Sequence, residues 1–214
     1  MKQFLNKMEK GIDIIMGALV AILVIFAVFV YLIKDTNTFS ELTGKYNYDN
    51  GFDSYPVEEI REDLTNISRV TILIDNVPYY FDFRYGPREL EDIPIDIDRE
   101  YIQSKNMYFI TIDHDERLQG KTVLASIELA RVMSSGKLFN KETIGAMTEE
   151  YKDNPVITCA DVNETSGVLY MKLANQTRIY QENNGCVVIE GVTEDDLLKD
   201  ASKFGLYMLG IMRK

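Results

Sequence analysis

The stretch Cys186-Val-Val-Ile-Glu-Gly-Val-Thr-Glu-Asp-Asp-Leu-Leu-Lys-Asp-Ala-Ser-Lys-Phe-Gly-Leu-Tyr-Met-Leu-Gly-Ile-Met-Arg-Lys214 decides the fold. Cys186–Glu190 is a short β-rich run. Thr193 can then cap a helix in which Leu197, Ala201, Phe204, Met208 and Ile211 form one apolar stripe. Glu194, Asp195 and Asp196 at its start, with Arg213 and Lys214 at its end, suit the helix dipole. A strand feeding an amphipathic helix needs a sheet for that stripe to cover. The expected class is therefore α+β (mixed α/β), one domain with a mainly antiparallel sheet covered by one or two helices.

Upstream, Val156–Ala160, Val168–Leu173 and Thr177–Gln181 read as further strands, separated by Asn- and Gly-bearing turns such as Asn183-Asn184-Gly185. Met107–Asp113 is a predicted strand. Lys121–Met133, with Val123, Ile127 and Ala130 at helical spacing, is the predicted helix after it, a sequence that suggests a parallel crossover. Arg69–Asp75 reads as a strand, with Asp75-Asn76 turning into Tyr79–Arg84. There Tyr79, Phe81 and Phe83 alternate with Tyr80, Asp82 and Arg84, as a sheet with one wet face requires. A helical turn is expected from Pro56. Asp35–Tyr55, rich in Asn, Thr, Asp and Gly and without sustained periodicity, reads as a stalk.

Ile14–Ile33 is a run of 20 residues without a charge. Extended back to Gly11 it would make a helix of about 34 Å, enough to cross a hydrocarbon layer. No small-residue cleavage site follows it, so it is read as retained. Lys2, Lys7 and Lys10 precede the run and only Lys34 follows before Asp35 and Glu41, so the positive-inside rule puts the N-terminus in the cytoplasm. The expected layout is a cytoplasmic 1–10, a transmembrane helix at 11–33, a stalk at 34–55 and an extracytoplasmic domain at 56–214. Asp13 falls where headgroups would solvate it. Gly17 and Ala21 form a small-xxx-small pair from which no dimer follows, and a homo-oligomer stays open.

Of the 214 residues, 23 are Lys or Arg and 34 Asp or Glu, a formal charge of −11. Such a balance repels phosphate backbones and argues against a nucleic-acid partner. The chain has a single His and two Cys, little material for metal or nucleophile chemistry. Gly120-Lys121-Thr122 follows a strand and opens a helix, but a phosphate-binding loop needs glycine where Asp115 stands, and Asp113, Asp115 and Glu116 would repel an anion. His114 between two acids resembles an acid/base residue, although a lone His is more often a surface residue. Asp96 with Asp98, and Asp113 with Asp115, alternate as Ca²⁺ ligands can, but no twelve-residue loop pattern accompanies them. Ser126, Ser134 and His114 are the material for a hydrolase, and no spacing brings them together. The expectation is no catalytic residue, no metal site and no cofactor.

Cys159 and Cys186, 27 positions apart at predicted strands of the outer domain, are expected to form a disulfide. Closing that loop contributes about 3–4 kcal/mol on a chain-entropy account. Asn66, Asn163 and Asn175 open Asn-x-Ser/Thr sequons and are candidate glycosylation sites.

Three segments together carry a resemblance: Phe83-Arg-Tyr-Gly-Pro-Arg-Glu-Leu-Glu-Asp-Ile-Pro-Ile95, Gly120-Lys-Thr-Val-Leu-Ala-Ser-Ile-Glu-Leu-Ala-Arg-Val132, and the run from Val156 to Met212. They resemble uncharacterised membrane-anchored archaeal surface proteins, and the ending Cys186–Gly191 followed by Thr193–Leu198 is similar to the α/β modules of archaeal S-layer proteins. The resemblance implies a location and an architecture, and no catalytic residue to carry over. The leading expectation is a single-pass surface protein, not an enzyme, whose outer domain is structural, adhesive or partner-binding, with S-layer association implied by the resemblance and with the bilayer and a cell-envelope protein as partners. The alternative is a pilin-like filament subunit, because Lys10-Gly11 precedes the apolar run like a prepilin cleavage site, although Met16 stands where such subunits have glutamate. The lesser alternative is an extracytoplasmic hydrolase.

Overall fold

The computed structural model describes residues 22–25, 28, 44–62 and 65–214. The chain divides into two compact units, Met1–Tyr46 and Asn47–Lys214. In the first, Ile22–Ile25 and Val28 are helical with exposed side chains. Among the described residues no helix is long and apolar enough to cross a membrane, and the rest of the expected 11–33 span lies outside them.

Among the described residues ten strands fall into two sheets, with orders β1-β2-β3-β4 and β5-β9-β10-β8-β6-β7. The first contains β1 (Lys45–Asp49), β2 (Ser54–Glu62), β3 (Thr65–Ile74) and β4 (Val77–Phe83). β3 pairs antiparallel with both β2 and β4. Asp75 and Asn76, at φ 52° and 63°, make the two-residue turn whose backbone twist matches a hairpin. Val57, Val70 and Phe81 face one another across the strands and are buried, while Arg69 pairs with Asp82 at 2.7 Å on the wetter face. Two expectations are corrected here. The helical turn from Pro56 is strand, because pairing with β3 from Val57↔Val70 to Glu62↔Thr65 outweighs the helix preference of Glu58-Glu59-Ile60-Arg61. The segment read as stalk contains β1 and the start of β2, the alternation in Lys45–Asp49 being too short to register as a pattern.

The second sheet contains β5 (Ile95–Asp96), β6 (Met107–Ile112), β7 (Glu142–Met147), β8 (Ser166–Leu173), β9 (Arg178–Gln181) and β10 (Val187–Gly191). Its helices are α1 (Arg99–Ser104), α2 (Gly120–Met133) and α3 (Glu194–Met208). The molecule is a mixed α+β structure with an antiparallel sheet and helices, but the sheet beneath the helices is not mainly antiparallel. Only β9–β10 is antiparallel there, while β5–β9, β10–β8, β8–β6 and β6–β7 are parallel. The physical reason is that β6-α2-β7 is a crossover unit, as expected, and the Asn-bearing turn after β8 carries the chain past β10 instead of into a hairpin. Asn183-Asn184-Gly185 does make the β9–β10 hairpin, with Gly185 at φ 90° donating its N–H to the Glu182 carbonyl.

One face of this sheet is covered by α2 and α3, which pack side by side. Leu197, Ala201, Phe204 and Met208 are buried as expected, and Ile211 is buried just beyond the helix end. Thr193 caps α3 by accepting from the Asp196 N–H. Gly205 lets Phe83 of β4 press against α3, since a Cβ there would lie 2.6 Å from Phe83 Cε1. Glu128 of α2 closes the junction, accepting from the Arg84 N–H at 2.8 Å and the Ser202 hydroxyl at 2.7 Å.

The other face is not the one that α2 and α3 cover. Buried Val168, Cys186 and Val188 pack there against Phe109, Ile157, Cys159 and Val162, so the connection between β7 and β8 is the cover. Val156–Ala160, expected as a strand, makes a single bridge to Met147 and then a 3-10 turn at Cys159–Asp161. Thr158 and Asp161 account for this. Asp161 Oδ2 accepts from the Thr158 N–H and the Thr158 hydroxyl from the Ala160 N–H, which removes the donors a ladder needs.

Candidate functional site

A cavity of about 430 Å³ opens where β6 and β7 end and α2 begins. This is the end of a parallel sheet at which open α/β folds bind ligands. Ile112, Leu118, Val123 and Met147 supply an apolar lining, and Asp113, His114, Glu116 and Tyr151 a polar one. Asp113 is held by the Thr148 hydroxyl, which donates to Oδ1 at 3.0 Å. Asp115 is clamped by Arg117 at 2.5 Å, and that contact holds its carboxyl down to about 2. His114 Nδ1 lies 3.6 Å from a Glu149 oxygen, and its ring sits 6.0 Å from that of Tyr151. Lys152, at φ 54°, turns the chain immediately after Tyr151, and its ammonium lies 4.9 Å from the centre of the Tyr151 ring. Among the described residues no ion pair engages Glu116.

The start of α2 is where a phosphate would sit if Gly120-Lys121-Thr122 were a nucleotide loop. An internal anion occupies it. Glu194 Oε1, from the first turn of α3, accepts from the Gln119 N–H, from the Thr122 N–H at 3.1 Å and from the Thr122 hydroxyl at 2.8 Å. Burial pushes the Glu194 carboxyl up, but these hydrogen bonds and the Lys121 charge outweigh it and hold it below its usual value. Lys121, the residue that would reach a phosphate, pairs with Asp195 at 2.5 Å. Glu194 and Asp195 therefore tie α3 to α2, beyond the dipole role that their place in the sequence suggests.

The other candidates are engaged elsewhere. Asp96 pairs with Lys214 at 2.7 Å, and Asp98 caps α1 through the N–H groups of Glu100 and Tyr101. Ser126 donates to the Val123 carbonyl, and Ser134 caps the far end of α2, about 20 Å along the helix from its start. Neither serine meets His114. Cys159, Glu182 and Cys186 cluster closely enough for a metal, but the two sulfurs are 2.02 Å apart, a disulfide and not a pair of thiolates.

That disulfide joins Cys159 of the loop cover to fully buried Cys186 beside β10. Asn184 reinforces it by donating to the Cys159 carbonyl at 2.7 Å. All three sequon asparagines are exposed: Asn66 in β3, Asn163 in the loop cover and Asn175 in the turn after β8. Asn163 Oδ1 accepts from the Thr165 hydroxyl at 3.0 Å and leaves its amide nitrogen toward solvent apart from a long contact to Asp161.

The apolar residues noted at helical spacing in Lys121–Met133 are not the face that α2 buries. Val123 and Ile127 are 52% and 55% exposed, and Leu124 beside them is exposed as well. The buried face is Thr122, Ala125, Glu128, Leu129, Val132 and Met133. Two helical stripes overlap in this sequence, and the polar members Thr122 and Glu128 disguise the buried one. Their hydrogen bonds to Glu194, Ser202 and Arg84 satisfy them inside. Comparison with protein families, curated proteins and solved structures gives no match for this chain.

Proposed function

We propose that the chain is a single-pass, membrane-anchored cell-surface protein whose outer domain works by contact as a structural, adhesive or partner-binding module of the cell envelope. The observation that carries this reading is the Cys159–Cys186 disulfide, which uses both cysteines of the chain to fasten the loop cover. Such bonds persist in oxidising compartments. The 20-residue uncharged run and the lysines before it supply the anchor and its orientation. Three exposed sequons are compatible with a glycosylated surface. The resemblance to archaeal surface proteins adds S-layer association to the proposal.

The test is protease added to intact cells carrying the full chain with a C-terminal epitope. Loss of the epitope while a cytoplasmic marker survives supports the reading. Full protection, with digestion only after lysis, overturns the topology.

A further inference from the structure

We infer that the exposed face of α2 and the cleft at its start form one docking surface, and that its occupant is a cationic, amphipathic segment of a partner protein. The inference rests on the contact-module reading and names its partner class. Val123 and Ile127 are one helical turn apart and point the same way, and Leu124 flanks them. Val123 also lines the cleft, where Leu118, Met147 and half-exposed Tyr151 continue the apolar surface. Contiguous apolar surface of this kind marks interaction sites.

Charge decides what fits. The rim of the cleft holds Asp113, Glu116 and Glu149. Among the described residues beside it, Arg117 is taken by Asp115 and Lys152 lies over the Tyr151 ring. Lys121, which could have offset the acids, is taken by Asp195. A segment carrying Lys or Arg beside Leu- or Ile-like side chains meets both halves of this surface. A second copy of the chain would bring acid against acid, and an anionic partner would meet the same repulsion. The occupant is thus a basic helix-forming segment, held by apolar contact with Val123 and Ile127 and steered by the acidic rim.

The probe is a labelled fifteen-residue Leu/Lys peptide of helical periodicity, with a Leu/Glu peptide of the same pattern as its counterpart, titrated by fluorescence anisotropy against the full chain in neutral detergent. The Leu/Lys peptide is expected to bind at least tenfold more tightly than the Leu/Glu peptide. Ile127→Asp should weaken it at least tenfold. The pair Glu116→Gln and Glu149→Gln should weaken it at least fivefold and flatten its salt dependence. The pair Glu100→Gln and Glu164→Gln, which removes the same charge away from the cleft, should change it less than twofold. Equal losses for the two Gln pairs would reveal attraction to net charge alone and overturn the inference. So would Ile127→Asp binding like the parent, or self-association of the full chain that Ile127→Asp abolishes. A wrong topology would show in protease protection and leave these affinities unmoved.

Discussion

The two faces of the six-stranded sheet are covered by different means. On one, α2 and α3 bury Leu129, Val132, Leu197, Phe204 and Met208, and Glu194 and Ser202 cross-tie them through hydrogen bonds. On the other, an irregular connection with few large apolar residues lies on Val168 and Val188 and is fastened by one covalent bond. A helix presents a repeating stripe and can offset the cost of its own ordering through burial. A loop of equal reach buries less per residue, and its backbone entropy is offset by restricting the unfolded chain instead.

The comparison breaks first on its helical side. Phe204→Ala removes the largest fully buried side chain of α3 and should cost about 3–5 kcal/mol in denaturant unfolding. Reduction of the disulfide should cost about 3–4 kcal/mol, the chain-entropy value for a closed loop of this length. It should act locally as well. Hydrogen exchange after reduction should accelerate in residues 148–165 while α2 and α3 stay protected, and equal acceleration everywhere would erase the distinction between the faces.

A pH-dependent effect comes from inside the helical layer. Asp200 is fully buried, its carboxylate has no hydrogen-bond partner among the described residues, and burial, reinforced by Asp196, lifts it to about 8 from 3.8. Between pH 4 and 8 the folded chain then keeps a proton that the unfolded chain has already released, so stability falls as pH rises through that window, by up to about 1.4 kcal/mol per unit. Asp200→Asn should flatten the decline in Tm across the window and raise Tm at pH 7.5. The smallest effect expected is for Glu194→Gln, which weakens the cap shared by α3 and α2. A loss of about 1–2 kcal/mol in denaturant unfolding is expected, with Kd for the Leu/Lys peptide unchanged within twofold.

The strands and helices with strong periodicity are legible in the amino-acid sequence: β4, β6, β8 and α3 stand within two residues of where alternation and the Thr193 cap put them, and β3 begins four residues before its expected start. Sheet order is not, because Asn- and Gly-bearing turns mark a change of direction without saying which strand receives the chain. The inward face of α2 escapes a reading by periodicity because Thr122 and Glu128 are polar and become core residues only once Glu194, Ser202 and Arg84 meet them. Those partners lie 44 to 74 positions away, beyond the reach of a local pattern. The disulfide is legible from two cysteines and an apolar run. Its mechanical role is not, since Val156–Ala160 reads as a strand in its own right.

The most direct test of the account is alkylation of the full chain taken from its own cells under denaturing, non-reducing conditions, followed by intact mass. The account predicts no label at Cys159 or Cys186 until a reductant is added, and two labels afterwards. Two labels without reductant would contradict it, since the loop cover would then lie unfastened in a reducing compartment.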